Sequence, residues 1–271
     1  MRLDPTLRET RRARLRRRIH LLPHLFTIGN LFAGYFAISA VLAGDLDRAS
    51  IAIVVGFVLD TLDGSVARLV HSPSRIGVQL DSLADVVTFG IAPALLAFAW
   101  GASAIETPDP RWGTHLGRLA WIASFAFAAA GALRLARFNV MSSDEVAVRP
   151  KDAFVGMAIP TGALCIAVVI HLLKGRLVEW PYALVWIAYL FLVAGLMASR
   201  VRFPHFRRVL INPRHPQILM LVSALLLAAV YYYSEIVFFG MLVTYLTSVV
   251  VSNLRLARAE APLNGPPGDG V

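Results

Sequence analysis

Four aspartates lie within segments that are otherwise apolar enough to cross a membrane. Asp60 and Asp63 occur in FVLDTLDGSVARLV, and Asp81 and Asp85 occur in GVQLDSLADVVTFGIAPALL. A charged side chain at the centre of a bilayer costs about 2.5–3.5 kcal/mol on insertion scales, so such residues usually mark a function. We therefore expect these carboxylates to form a functional site.

Small residues follow the first aspartate pair on the same side of its predicted helix. Positions i and i+4 are neighbours on a helix surface, so Gly64 and Ala67 lie one turn beyond Asp60 and Asp63. Arg68 follows near the edge of this face. The spacing predicts open space beside the two carboxylates.

The second pair has the same organisation on the next predicted helix. Asp81 and Asp85 share a face at i, i+4, and Gly77 lies one turn earlier. Only a short loop separates the two helices, so all four carboxylates are expected to share one pocket.

Four neighbouring acids repel one another unless cations hold them together. Mg²⁺ is a hard cation that often binds through carboxylates together with substrate phosphates. Two divalent ions, Mg²⁺ or Mn²⁺, would hold a diphosphate and stabilise both the attacking and the leaving oxygen. The pattern thus predicts displacement at phosphorus, with one carboxylate as general base. A carboxylate-lined transporter is the alternative, whereas a salt-bridge network is disfavoured because Arg68 alone cannot neutralise four acids.

The composition is typical of a polytopic membrane protein, since 57% of the 271 residues are hydrophobic and 16% are charged. A spanning helix needs about 20 mostly apolar residues. We therefore predict an all-α membrane bundle of about eight transmembrane helices, with a very short connection around Ser234 and Glu235 before the last one. The predicted spans are 22–43, 48–70, 79–100, 118–138, 154–173, 181–199, 216–233 and 235–253.

The net charge of +9 comes from basic clusters beside apolar segments, without the aromatic and basic stripe of an RNA-binding protein, so nucleic acid is disfavoured. Cytoplasmic loops are rich in Lys and Arg, which predicts that both termini and the aspartate pocket face the cytoplasm, in the cell (inner) membrane. The single cysteine, Cys165, excludes an intramolecular disulfide.

The predicted regions are a basic segment 1–21, a helical core 22–199 with its catalytic motif at 60–85, a basic loop 200–215, a helical hairpin 216–253 and a disordered tail 254–271.

Residues 60–85, DTLDGSVARLVHSPSRIGVQLDSLAD, resemble the signature D-x2-D-G-x2-A-R-x8-G-x3-D-x3-D of the CDP-alcohol phosphotransferases, and all eight fixed positions match. The segment LLPHLFTIGNLFAGYFAI, with Thr27 and Asn30, is similar to the first span of the phosphatidylserine synthase branch of that family. SLADVVTFGIAPALL and GALRLARFN also resemble this branch. The likeness covers roughly residues 20–165 well and the rest loosely.

The resemblance implies transfer of a phosphatidyl group from CDP-diacylglycerol to an alcohol, which is L-serine in this branch, with release of CMP. It implies that Asp60, Asp63 and Asp81 bind metal and that Asp85 is the general base, touching the second metal as well. It also implies a homodimer surrounded by membrane lipids. The residues expected to bind the CDP-lipid are Gly64, Ala67, Arg68 and Gly77.

The acceptor must be bound by residues outside the motif. The carboxylate of serine suits a cation that binds it bidentately, and Arg134 and Arg137, with Asn139 beside them, lie at the predicted cytoplasmic end of the fourth span. The arginines could instead set topology or contact lipid phosphate. Glycerol 3-phosphate, inositol phosphate and choline stay open as acceptors, while the intact motif argues against a non-catalytic lipid-binding protein.

Overall fold

In the computed structural model the described part of the chain is helical. It comprises residues 25–70, 75–101, 110–143, 156–175, 179–199, 224–230 and 232–240. The elements are α1 (Leu25–Leu42), α2 (Leu46–Val70), α3 (Arg75–Asp85), a π-helix (Val86–Ile91), α4 (Ala92–Gly101), α5 (Pro110–Ser143), α6 (Ile159–Leu173) and α7 (Trp180–Ala198). Residues 224–230 and 232–240 are also helical. The predicted all-α class is therefore confirmed for these residues.

Among the described residues, four helical stretches are long and apolar enough to cross a membrane: Leu25–Leu42, Ile76–Gly101, Arg111–Val140 and Trp180–Ala198. The second of them runs through α3, the π-helix and α4 without a break. Large apolar side chains such as Phe32, Phe125 and Leu192 point outward from these helices. Apolar surface of this extent is suited to hydrocarbon rather than to water. The chain is thus a helical integral membrane protein.

These helices correspond to four of the roughly eight predicted spans, and the total number of spans stays a prediction. Residues 46–63 of α2 contain four charged side chains, and α6 has only 15 residues. Helix α5 begins at Pro110, inside the predicted 101–117 loop. Ser234 and Glu235 are helical, so the connection predicted at these two residues is wrong. Both termini, the 200–215 loop and most of the last predicted span lie outside the described residues.

The core is formed by α5 packed along α7 and α2 packed along α6. Trp186 on α7 donates a hydrogen bond to the carbonyl of Ala97 at 3.0 Å and meets Trp100 edge to face at 4.7 Å between ring centroids. A backbone bond from Met157 to Leu196 (3.2 Å) fixes the start of α6 against the end of α7. These contacts hold α4, α5, α6 and α7 together, with α2 packed against α6.

Helix α1 crosses α2 and the π-helix at a point where two glycines remove the side chains that would separate them. A Cβ added at Gly34 would lie 2.8 Å from the Cα of Thr88, and one at Gly56 would lie 2.5 Å from its Cγ2. The Thr88 hydroxyl donates to the carbonyl of Asn30 at 2.8 Å. The crossing therefore brings α1 into direct contact with the π-helix, which continues α3, and close to α2.

We expect Gly34→Ala to destabilise the protein by about 1–3 kcal/mol, the usual cost of overpacking, because the new methyl group would meet the Thr88 backbone, which cannot rotate away. Thermal unfolding in detergent measures the effect. The matched control is Gly117→Ala, since a Cβ at Gly117 meets nothing within 4 Å and alanine is the better helix former. Equal melting temperatures for Gly34→Ala and wild type would contradict the close crossing.

Candidate metal centre and active site

The centre of the site is a group of three carboxylates from two helices. Carboxylate oxygens of Asp60 on α2 and of Asp81 and Asp85 on α3 all lie within 4.8 Å of one another. Asp60 and Asp81 are half-buried and Asp85 is buried. The i, i+4 spacing on α3 turns Asp81 and Asp85 to one face. The structure thus brings together three of the four aspartates predicted to share a pocket.

The fourth aspartate, Asp63, is buried just outside this group and is held by a different helix. Thr27 on α1 donates a hydrogen bond from its hydroxyl to Oδ2 of Asp63. Both side chains are almost completely removed from solvent. A buried carboxylate needs such a donor because an unpaired one is strongly destabilising. Asp63 therefore reaches the site with one of its oxygens already oriented.

A second donor on α1, the side-chain amide of Asn30, reaches the carboxylate of Asp85. The Nδ2 amide of Asn30, which has no solvent exposure, donates to Oδ1 of Asp85 at 3.1 Å. Thr27 and Asn30 lie three residues apart and so project from the same side of α1. The sequence similarity singled out these two positions without giving them a role. Polar side chains at i, i+3 in an apolar span were the signal that could have shown it.

The predicted acceptor residues lie at the end of α5. Nε of Arg134 is buried and has no hydrogen-bond partner among the described residues, whereas Arg137 is exposed. Asn139 donates to the hydroxyl of Ser82 at 2.8 Å. Because Ser82 directly follows Asp81, this bond ties the end of α5 to the helix that carries the second aspartate pair. The structure thus joins Asn139 to the acidic centre through α3.

The remaining motif residues belong to the same two helices. Gly64, Ala67 and Arg68 are helical residues near the end of α2, and their side chains lie outside the described set. Gly77 is half-buried in the first turns of α3, one turn before Asp81. Their backbone positions follow the predicted helices.

The donor chemistry of the three-carboxylate group fits a hard divalent cation. All its ligand atoms are carboxylate oxygens, the type that Mg²⁺, Mn²⁺ and Ca²⁺ prefer. The spacing of up to 4.8 Å between these oxygens is suited to one ion in contact with several of them. Among the described residues, neither a cysteine nor a histidine belongs to the group, which disfavours a zinc site of the structural type.

The sequence of this helical core matches the CDP-alcohol phosphatidyltransferase family over residues 20–194. The chain belongs to this family. The matched region runs from before α1 to near the end of α7. It includes the four aspartates and the two α1 donors, Thr27 and Asn30.

Curated relatives at about the same level of similarity share one name. The chain is 32% identical over 192 residues to the CDP-diacylglycerol–serine O-phosphatidyltransferase of Helicobacter pylori, covering 70% of this chain and 75% of that protein. The proteins of that name from Mycobacterium leprae and Methanocaldococcus jannaschii are each 30% identical to this chain, over 260 and 190 residues respectively. These alignments cover 93% and 70% of this chain, and 82% and 77% of the two relatives.

Replacing Asp60, Asp81 or Asp85 with Asn should weaken Mn²⁺ binding, because each change removes an anionic oxygen from the group. Loss of an outer-shell partner alone typically costs about 10–100-fold in metal affinity, and loss of a carboxylate should cost at least as much. Titration of Mn²⁺, followed by the EPR signal of the free ion, measures the affinity.

The matched control is Asp45→Asn. Asp45 precedes the other end of α2, roughly 20 Å from Asp60 at about 1.5 Å per helical residue, and its hydrogen bond from the Arg48 amide can also be accepted by Asn. Unchanged Mn²⁺ affinity in all three site variants would rule out this metal centre.

Proposed function

We propose that this protein transfers the phosphatidyl group of CDP-diacylglycerol to the hydroxyl of L-serine, forming phosphatidylserine and CMP. The observation that carries the proposal is the grouping of Asp60, Asp81 and Asp85 at the meeting of α2 and α3. The names of the relatives from Helicobacter pylori, Mycobacterium leprae and Methanocaldococcus jannaschii support the same reaction and the same acceptor.

In this proposal the four aspartates hold two divalent cations, either Mg²⁺ or Mn²⁺. When bound, the ions supply positive charge that neutralises the diphosphate of the CDP-lipid and the oxygens between which the phosphoryl group moves. Asp60, Asp63 and Asp81 serve as ligands, and Asp85 contributes to the second ion. Gly64, Ala67, Arg68 and Gly77 line the place for the nucleotide and diphosphate, where small residues let the ligand approach the backbone.

Asp85 is the general base in this reaction. Its carboxylate takes the proton of the serine hydroxyl, and the serine oxygen then forms a bond to the phosphorus that carries the diacylglycerol. The bond between that phosphorus and the bridging oxygen breaks, and this oxygen leaves on CMP. The burial of Asp85 and its hydrogen bond from Asn30 keep its other oxygen directed to one place.

The acceptor is bound by the end of α5. Arg134 has a buried Nε without a hydrogen-bond partner in the described part of the chain, so its guanidinium has a donor to offer to the serine carboxylate. Arg137 follows three residues later, and Asn139 is joined to α3 through Ser82. In this proposal the acceptor residues reach Asp85 from the α5 side.

The active site opens to the cytoplasm in this proposal, with both chain termini on the same side of the cell (inner) membrane. Support comes from the basic residues of 1–21 and 200–215, because Lys and Arg favour the cytoplasmic side. The regions proposed around the 22–199 core are a hairpin at 216–253, whose connection does not lie at Ser234 and Glu235, and a tail at 254–271. A homodimer, implied by the family, is proposed as the functional unit.

The purified protein in detergent should release CMP from CDP-diacylglycerol when L-serine and Mn²⁺ or Mg²⁺ are present, and EDTA should abolish the release. Glycerol 3-phosphate, inositol phosphate and choline, each tested alone, should give little CMP. Release driven by one of these instead of serine would keep the aspartate chemistry and replace the acceptor. No release with any acceptor, from protein that is folded and binds Mn²⁺, would contradict the proposed function.

Replacing Arg134 with Gln should raise the KM for L-serine by about 10–100-fold, which corresponds to the loss of a hydrogen bond between charged groups. The KM for CDP-diacylglycerol should stay unchanged. Steady-state CMP release measures both constants. Arg118→Gln is the matched control, since Arg118 is an exposed arginine near the other end of α5. A higher KM for the CDP-lipid and an unchanged KM for serine would assign Arg134 to lipid phosphate instead.

A further inference from the structure

Two of the four site carboxylates receive a hydrogen bond from the same side of α1. Thr27 donates to Asp63, which is on α2, and Asn30 donates to Asp85, which is at the end of α3. All four side chains are buried. One helix that carries no acidic residue thus contacts both halves of the acidic motif, and it does so with two different donors.

The Asn30 amide is held in one orientation. An ionised carboxylate only accepts hydrogen bonds, so the NH2 group must face Asp85 and the amide oxygen must face away. That oxygen is buried and has no hydrogen-bond partner in the described part of the chain. It lies against Gly56, where an added Cβ would be only 3.1 Å from it. Rotating the amide would place its oxygen against the Asp85 carboxylate, which is unfavourable.

The helix that carries these donors is itself fixed in register. Thr88 on the π-helix donates to the backbone carbonyl of Asn30, and the close approach at Gly34 lies one turn later on α1. Sliding α1 by one residue would break both contacts. Because α1 is fixed, the donor groups of Thr27 and Asn30 are fixed too, and they hold the Asp63 and Asp85 carboxylates in set positions.

We propose that Thr27 and Asn30 are positioning residues with different tasks: Thr27 orients Asp63 for divalent-cation binding, and Asn30 orients Asp85 for removal of the acceptor proton. The inference rests on the proposed function, in which Asp85 is the general base and Asp63 is a cation ligand. Outer-shell hydrogen bonds of this kind orient ligand carboxylates, and their loss typically costs about 10–100-fold in metal affinity or activity.

The first test separates the two residues by what each variant loses. Thr27→Val, which keeps the shape and removes the hydroxyl, should weaken Mn²⁺ binding about tenfold or more in an EPR titration of the full-length protein. Thr27→Ser, which keeps the hydroxyl, should bind Mn²⁺ within about threefold of wild type. Ser124→Ala is the matched control, since it deletes another buried hydroxyl, one that bonds only within α5.

The second test concerns Asn30. Asn30→Leu has nearly the same size but no donor, and at saturating Mn²⁺ it should lower kcat for CMP release about 10–100-fold while the KM values stay close to wild type. Asn30→Ala should behave in the same way, and whichever variant elutes as a monodisperse protein carries the test. A kcat equal to wild type in that variant would overturn the role of Asn30.

The outcomes also distinguish this inference from the proposed function. Wild-type Mn²⁺ affinity in Thr27→Val would overturn the role of Thr27, whatever the acceptor is. Equal losses of kcat and Mn²⁺ affinity in both donor variants and in Ser124→Ala would show a general packing defect and overturn the division of tasks. Wild-type protein that binds Mn²⁺ but releases no CMP would instead contradict the proposed function, while the Mn²⁺ result for Thr27 would still stand.

Discussion

Repulsion between like charges is the constraint on which this structure depends. Carboxylate oxygens of Asp60, Asp81 and Asp85 lie within 4.8 Å of one another, a separation at which like charges repel. Two things offset repulsion at the site: the cations that an oxygen-only group attracts, and the hydrogen-bond donors that hold Asp63 and Asp85 in place. The donors come from α1, so this apolar helix is part of the site although it carries no charge of its own.

The contacts that place α1 are steric. Gly34 and Gly56 let three segments meet around Thr88, and without that approach the donors on α1 would not reach the aspartates of α2 and α3. Farther from the site, the Trp100–Trp186 pair and the α5–α7 packing support the helices behind it. Tight packing among small residues is the usual way in which helices associate in membranes, where apolar burial gives no preference for protein over lipid.

The sequence was sufficient to predict what lies along a single helix and insufficient to predict which helices cross. Spacing alone placed Asp81 and Asp85 on one face and predicted the helical class, because helix periodicity is a local property. Asn30 and Asp85, which are joined by a hydrogen bond, are 55 positions apart in the sequence, and helix periodicity predicts no contact between residues so far apart. Four of the roughly eight predicted spans correspond to long apolar helices in the described part of the chain, and the total number of spans stays a prediction.

The π-helix between α3 and α4 carries a consequence for how this protein can change over evolutionary time. A π-turn holds one more residue than an α-turn, and here it lies directly after Asp85 in an otherwise continuous helix. Because the π-turn takes up its extra residue within one wide turn, the helix on either side keeps the phase of a regular α-helix that is one residue shorter. Loss of one residue from 86–91 together with the π-turn would therefore leave Asp81 and Asp85 facing α2. Conversion of the π-turn to α-geometry without a deletion would instead rotate the upstream helix by about 100° relative to α4 and turn both aspartates away from α2, although every acidic residue would still be present.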